Sequence, residues 1–97
     1  MRSQAEKARA FRALHQGPMA FVIPNPWDAG TARLLELVGF PALATTSAGF
    51  AFSTGKPDNA VGREAILANV SLIVRATDLP VSADLENCFS DDPREAA

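Results

Sequence analysis

The chain is poor in the residues that most often announce a chemistry: it has one cysteine, one histidine, one tryptophan and no tyrosine. A single thiol cannot build an intrachain disulfide framework, and a reducing, cytoplasmic setting is the expectation. There is no cluster of lysine and arginine, and the formal net charge is −2. Nucleic acid and anionic membrane surfaces are therefore not expected as partners. No apolar run approaches the ~20 residues that span a bilayer, and the charged amino-terminal stretch has no signal-peptide core. Neither G-x-G-x-x-G nor G-x-x-x-x-G-K occurs, so a nucleotide-binding sheet has no support.

What remains is a chain of 97 residues with 47% hydrophobic and 21% charged side chains. That is enough apolar material for a core, in one small domain or part of a larger one. Ser3-Gln4-Ala5-Glu6 has the spacing of a capping box. Ala8, Phe11 and Leu14 then recur at helical spacing until Gly17-Pro18 stops the run. His15 near the end of this helix reads as an exposed residue favoured by the helix dipole. Met19 to Ile23 is a continuous apolar run and predicts a buried strand. After the loop Pro24-Asn25-Pro26-Trp27, Asp28 caps a helix whose apolar stripe is Ala32, Leu35 and Val38, helped by Leu34, and which ends at Gly39.

Pro41 to Thr46 predicts a second buried strand, and Phe50 to Gly62 a loop turning at Gly55-Lys56-Pro57-Asp58. Ile66, Val70, Ile73, Val74 and Thr77 mark a third helix. A third strand follows Leu79-Pro80, and the tail shows Asp92 as a cap with Pro93 as first helical residue. A proline precedes each of the three apolar runs, at Pro18, Pro41 and Pro80. Strand and helix in strict alternation require a parallel sheet, in which functional residues collect at the carboxyl ends of the strands. Two architectures fit: a doubly wound sheet, including a receiver-type module, or the first part of a (β/α)8 barrel.

The third predicted strand carries the strongest chemical signal, Pro80-Val81-Ser82-Ala83-Asp84-Leu85-Glu86. On a strand, Ser82, Asp84 and Glu86 would project to one face. Neighbouring carboxylates repel unless a cation or a shared proton lies between them. A hard divalent metal such as Mg2+ takes oxygen ligands and often only one or two protein carboxylates. Two acids meeting water at a strand end are the alternative reading of the same residues. Asn25, Asp28, Thr45, Thr46 and Ser47 fall on the same expected rim.

Four stretches together resemble the isocitrate lyase/phosphoenolpyruvate mutase family: Pro24-Asn25-Pro26-Trp27-Asp28-Ala29-Gly30-Thr31-Ala32-Arg33, Ala44-Thr45-Thr46-Ser47-Ala48-Gly49, Gly55-Lys56-Pro57-Asp58 and the Pro80–Glu86 segment. The resemblance implies an α/β fold, the first three strands of a (β/α)8 TIM-type barrel preceded by an amino-terminal helix, with residues 1–97 forming a single partial domain. It implies enzymes that cleave or rearrange C–C or P–C bonds of small 2-oxo or 2-hydroxy acids through an enolate stabilised by Mg2+ (or Mn2+). On that basis Asp84 is the direct metal ligand, and Glu86 acts on the metal through its water shell. Asp58 is a catalytic-site acid that orders that shell, and the Thr46-Ser47-Ala48 turn binds the substrate carboxylate. Full-length members commonly form homo-oligomers.

The sequence departs from the family pattern at Glu86, where aspartate is commoner, and at Cys88, where glycine is usual. A barrel of this type needs ~250 residues, so the chain reads as a truncated member that is inactive alone. The competing expectation is a non-catalytic α/β fragment or binding module that pairs with another chain. A reactive thiol needs an electropositive setting, and the acids around Cys88 argue against a nucleophilic role for it.

Overall fold

A computed structural model describes residues 1–97. The first helix, α1 (Gln4–His15), starts where the sequence places it: the Ser3 hydroxyl accepts from the Glu6 amide, and the Glu6 carboxylate accepts from the Ser3 amide. His15 is exposed at its end and makes edge contacts with Phe11 and Phe21 at centroid distances of 4.6 and 5.0 Å. The second helix, α2 (Ala29–Val38), is opened by Asp28, which accepts from the Thr31 amide at 2.8 Å. It closes at Gly39, whose φ of 108° is a left-handed conformation that a Cβ would strain.

Two short strands follow, β1 (Leu43–Ala44) and β2 (Val81–Ser82), paired in parallel with Leu43 opposite Val81 and Ala44 opposite Ser82. The Leu43 amide donates to the Pro80 carbonyl at 3.0 Å, and the Thr45 amide to Ser82 at 2.8 Å. Between the strands lie α3 (Ser47–Ser53) and α4 (Arg63–Ala76). A last turn of helix, α5 (Pro93–Ala96), has Asp92 as its cap and Pro93 first, as the sequence predicts.

Three expectations are corrected. Met19 to Ile23 is not a strand; Met19 and Val22 are 81% and 63% exposed. The chain reaches β1 only beyond that run, where the Pro24 carbonyl accepts from Ala44 at 3.0 Å and the Asn25 side-chain amide donates to the Ala44 carbonyl at 2.9 Å. Pro24 and Pro26 have no N–H with which to extend a ladder. The sheet therefore has two strands rather than three. The span Phe50 to Gly62 is not wholly a loop, since Phe50 to Ser53 continue α3. The expected stripe on α2 is also narrower: Ala32 is buried and Leu35 packs beside it, but Leu34 and Val38 are 60% and 72% exposed.

The core has two parts. Ala32, Leu43 and Ile73 are fully buried between α2, β1 and α4, with Leu79 and Val81 against them. Ala51, Val61 and Ile66 form the other part, closed by Phe50, Val70, Leu85 and Phe89. Burial of a side chain such as Ile73 stabilises by about 1.5–3 kcal/mol. The packed pairs are α2 on α4, α3 on α4 and β1 with β2. α1, by contrast, is tied down by polar contacts: Arg2 to Asp78, with its amide at 2.6 Å from Oδ1, and Lys7 to the Thr77 carbonyl at 3.0 Å. No helix is long and apolar enough to cross a membrane.

Candidate functional site

Of the residues singled out by the sequence, Thr45, Ser47, Asp58 and Asp84 meet where β1 and β2 end. Thr45 leaves β1, and its hydroxyl accepts from the Asp84 amide at 2.9 Å. Thr46 caps α3, its hydroxyl accepting from the Gly49 amide at 3.1 Å. Those two bonds set the direction in which α3 begins and bring Ser47 against the segment that follows β2. The Ser47 amide donates to Asp84 Oδ2 at 3.1 Å, and the Ser47 hydroxyl donates to the same oxygen at 2.9 Å. Ser47 and Thr45 are buried, whereas Asp84 remains exposed. Ala48 sits in the first turn of α3, half-buried.

Asp58 reaches the same place from the loop between α3 and α4, its Oδ1 lying 3.4 Å from the Ser47 hydroxyl. That oxygen also accepts from the Asn59 amide at 2.9 Å. A hydroxyl has one proton, and the shorter contact assigns it to Asp84. Two carboxylates therefore flank one serine oxygen. No lysine, arginine or histidine is paired with either: the ion pairs are Arg2–Asp78, Arg63–Glu64 and Arg94–Asp92.

Glu86 is placed differently from the expectation. β2 ends at Ser82, so Ser82, Asp84 and Glu86 do not line one face of a strand. Instead Asp84 Oδ1 accepts from the Glu86 amide at 3.0 Å, and Glu86 has φ of 56°. This is an aspartate side chain closing a turn on the backbone two residues ahead. The pair that the fold brings together across Ser47 is Asp84 and Asp58, while Glu86 contributes its amide to Asp84 and holds an exposed carboxylate.

Asp84 consequently accepts three hydrogen bonds, and the amides of Glu86 and Ser47, aided by the Ser47 hydroxyl, hold its pKa below the usual 3.8. It is ionised throughout the neutral range. Its partners are all short, local or buried, so the carboxylate is fixed in direction. No group of three histidine, cysteine, aspartate or glutamate side chains gathers here as a complete ligand set. Hard cations such as Mg2+ need only one or two protein carboxylates and keep water in the remaining positions. An all-oxygen donor set of Asp84 with Asp58 nearby suits that chemistry.

Behind the site, Trp27 and Gly49 are in close contact. A Cβ added at Gly49 would stand 2.2 Å from the Trp27 indole nitrogen, so only glycine fits under that ring. Asn69, buried on α4, donates its side-chain amide to the Trp27 carbonyl at 3.0 Å. Thr45 was placed on the rim by the sequence but given no role there, and Gly49 and Asn69 were not singled out as site residues. For Thr45 a signal was available, a hydroxyl at the exit of a strand. For Asn69 the only hint was one amide on an otherwise apolar helical face.

Comparisons with known proteins identify the family of the chain. The family model described as phosphoenolpyruvate phosphomutase matches residues 11–97. The 2-methylisocitrate lyase of Bacillus subtilis (strain 168) is 35% identical over 88 residues, which are 90% of this chain and 29% of that protein. A solved structure from Burkholderia cenocepacia J2315, described as a lyase/mutase, is 64% identical with a TM-score of 0.93 and is matched over 96% of this chain and 34% of its own. The structure of 2,3-dimethylmalate lyase, a member of the phosphoenolpyruvate mutase/isocitrate lyase superfamily, is 31% identical with a TM-score of 0.75, over 93% of this chain and 32% of its own. The chain thus spans about a third of the length of these relatives. Its α/β fold is that of the superfamily, and the chain belongs to the phosphoenolpyruvate phosphomutase family.

Proposed function

We propose that residues 1–97 form a single partial domain, the opening portion of a (β/α)8 barrel, and carry the cation-binding rim of a lyase or mutase acting on small 2-oxo or 2-hydroxy acids. The carrying observation is that Asp84, held by three hydrogen bonds, and Asp58 converge on Ser47 with no basic side chain to offset their charge. Repulsion between neighbouring carboxylates is relieved by a bound cation. The names of the relatives support C–C or P–C bond chemistry for the complete enzyme.

In this reading Asp84 ligates Mg2+ (or Mn2+) directly, and Asp58 and Glu86 accept hydrogen bonds from the water around it. Bound there, the cation supplies Lewis acidity toward the oxygens of an enolate-like transition state. Ser47 keeps Asp84 aimed and ionised, and Thr45 fixes the peptide that carries it. The Thr46-Ser47-Ala48 turn orients the substrate carboxylate over the rim. A longer glutamate at position 86 is accommodated because its backbone, not its carboxylate, engages Asp84.

The test is Mn2+ titration of the 15N-labelled chain, read by paramagnetic broadening. Broadening that is strongest at the amides of Thr45, Ser47, Asp84 and Glu86, falls off with distance from them and is absent in Asp84→Ala is the expected result. Broadening spread evenly over the acidic surface, or surviving in Asp84→Ala, rules the assignment out. The chain alone is expected to bind the ion without turnover of oxaloacetate or 2-methylisocitrate.

A further inference from the structure

Lys7 presents the opposite problem at the other end of the strands. It is only 5% exposed, although it is an ammonium on a helix that otherwise faces largely outward. Its Nζ donates one hydrogen bond, to the Thr77 carbonyl at 3.0 Å. An ammonium has three donors, and no carboxylate lies within ion-pairing distance of this one. The nearby acids are engaged elsewhere: Glu36 accepts from the Thr77 hydroxyl and from the Asp78 amide, and Asp78 is taken by Arg2. A buried charge without a counter-charge is costly.

Lys7 also lines a cavity of about 190 Å³ with Gln4, Ala8, Phe11, Pro80 and Val81. Ala8, Phe11, Pro80 and Val81 supply its apolar lining, and Lys7 and Gln4 are its polar lining residues. We propose that this cavity is a binding site for a small free carboxylate, with the anion on Lys7 and Gln4 and a short apolar body against Phe11 and Val81. Pro80 and Val81 stand at the start of β2, whereas Asp84 follows its end. The site is therefore separate from the cation rim and does not depend on it.

Titration of the 15N-labelled chain with sodium propionate, in EDTA and against sodium chloride at matched ionic strength, tests this. Saturable shifts of the Lys7 ammonium and of the Ala8 and Val81 amides are expected, unchanged in Asp84→Ala. Lys7→Met should weaken binding at least about tenfold, the loss of a charge-assisted bond, and Gln4→Leu should weaken it by less with the fold intact. Lys7→Arg, which keeps the charge, should retain saturable binding. Shifts that merely follow chloride, or an equal midpoint in Lys7→Met and Gln4→Leu, overturn the proposal. Because EDTA removes divalent ions, a failure here leaves the Mn2+ result untouched, and the reverse also holds.

Discussion

At the carboxyl ends of β1 and β2, an exposed acid is surrounded by donors; at their amino ends, a buried cation has a single carbonyl. Asp84 accepts from two amides and a hydroxyl, all within 3.1 Å, and looks across Ser47 at a second carboxylate. Lys7 has its stem and head inside and only Thr77 to bond. The first arrangement holds a charge in a chosen direction while leaving it open to solvent. The second uses a charge to pin α1 to the layer beneath it, with room left beside the ammonium. Direction is the requirement for chemistry, and the carboxyl rim has it because backbone amides do not rotate away as long side chains do.

The largest expected effect breaks the first end alone. Asp84→Ala should reduce divalent-ion affinity by more than about 100-fold, above the 10–100-fold typical of groups that only support a ligand; calorimetry of the chain with Mn2+ measures it. Gly49→Ala comes next. Its Cβ would overlap Trp27, and overpacking of that kind costs about 1–3 kcal/mol. Urea unfolding and a shift in Trp27 fluorescence should report the loss together, while propionate binding at the amino end is unchanged.

Thr45→Val keeps the shape but removes the acceptor of the Asp84 amide. It should cost about 1 kcal/mol of stability and weaken ion binding about tenfold, without altering the Lys7 ammonium signal. An unchanged ion affinity would show that Asp84 is positioned without Thr45.

The pH dependence separates the ends further. Asp84 and Asp78 both have pKa values lowered from 3.8, the first chiefly by the Glu86 and Ser47 amides and the second by Arg2. A depressed acid contributes stability above its unfolded pKa and loses it as pH falls through the folded value. Both contributions should therefore be complete at neutral pH, begin to fall as pH drops below about 3.8, and be lost as it passes through the lower folded values. Carboxyl carbon shifts followed by NMR give the two midpoints. The smallest effect is expected from Arg2→Ala. Its ion pair with Asp78 is solvent-exposed and screened, so the urea midpoint should move least of all these variants.

Much of the helical framework was legible in the chain. Ser3 with Glu6, Asp28, Gly39 and Asp92 with Pro93 all mark real helix ends, because capping is a contact between residues three or four positions apart. Strands were legible only as places. Met19 to Ile23 has the composition of a buried strand, yet two prolines follow it and no ladder forms alongside. The helix α3 was missed because Ser47 to Ser53 is rich in small and aromatic residues with no apolar period. Ser47 and Asp84 were named from the residues and Asp58 from the family resemblance, but the hydrogen bonds that join them were not readable.

By itself, then, the sequence marked which residues are candidates for chemistry and where α1 and α2 begin and stop, since those properties depend on side-chain type and on near neighbours. Only the tertiary structure decided that Asp58 rather than Glu86 stands across from Asp84, and that Lys7 is buried. Both outcomes arise from groups tens of residues apart being brought within bonding distance by the packing of α2 and α3 on α4 and the pairing of β1 with β2. No local pattern encodes such distances.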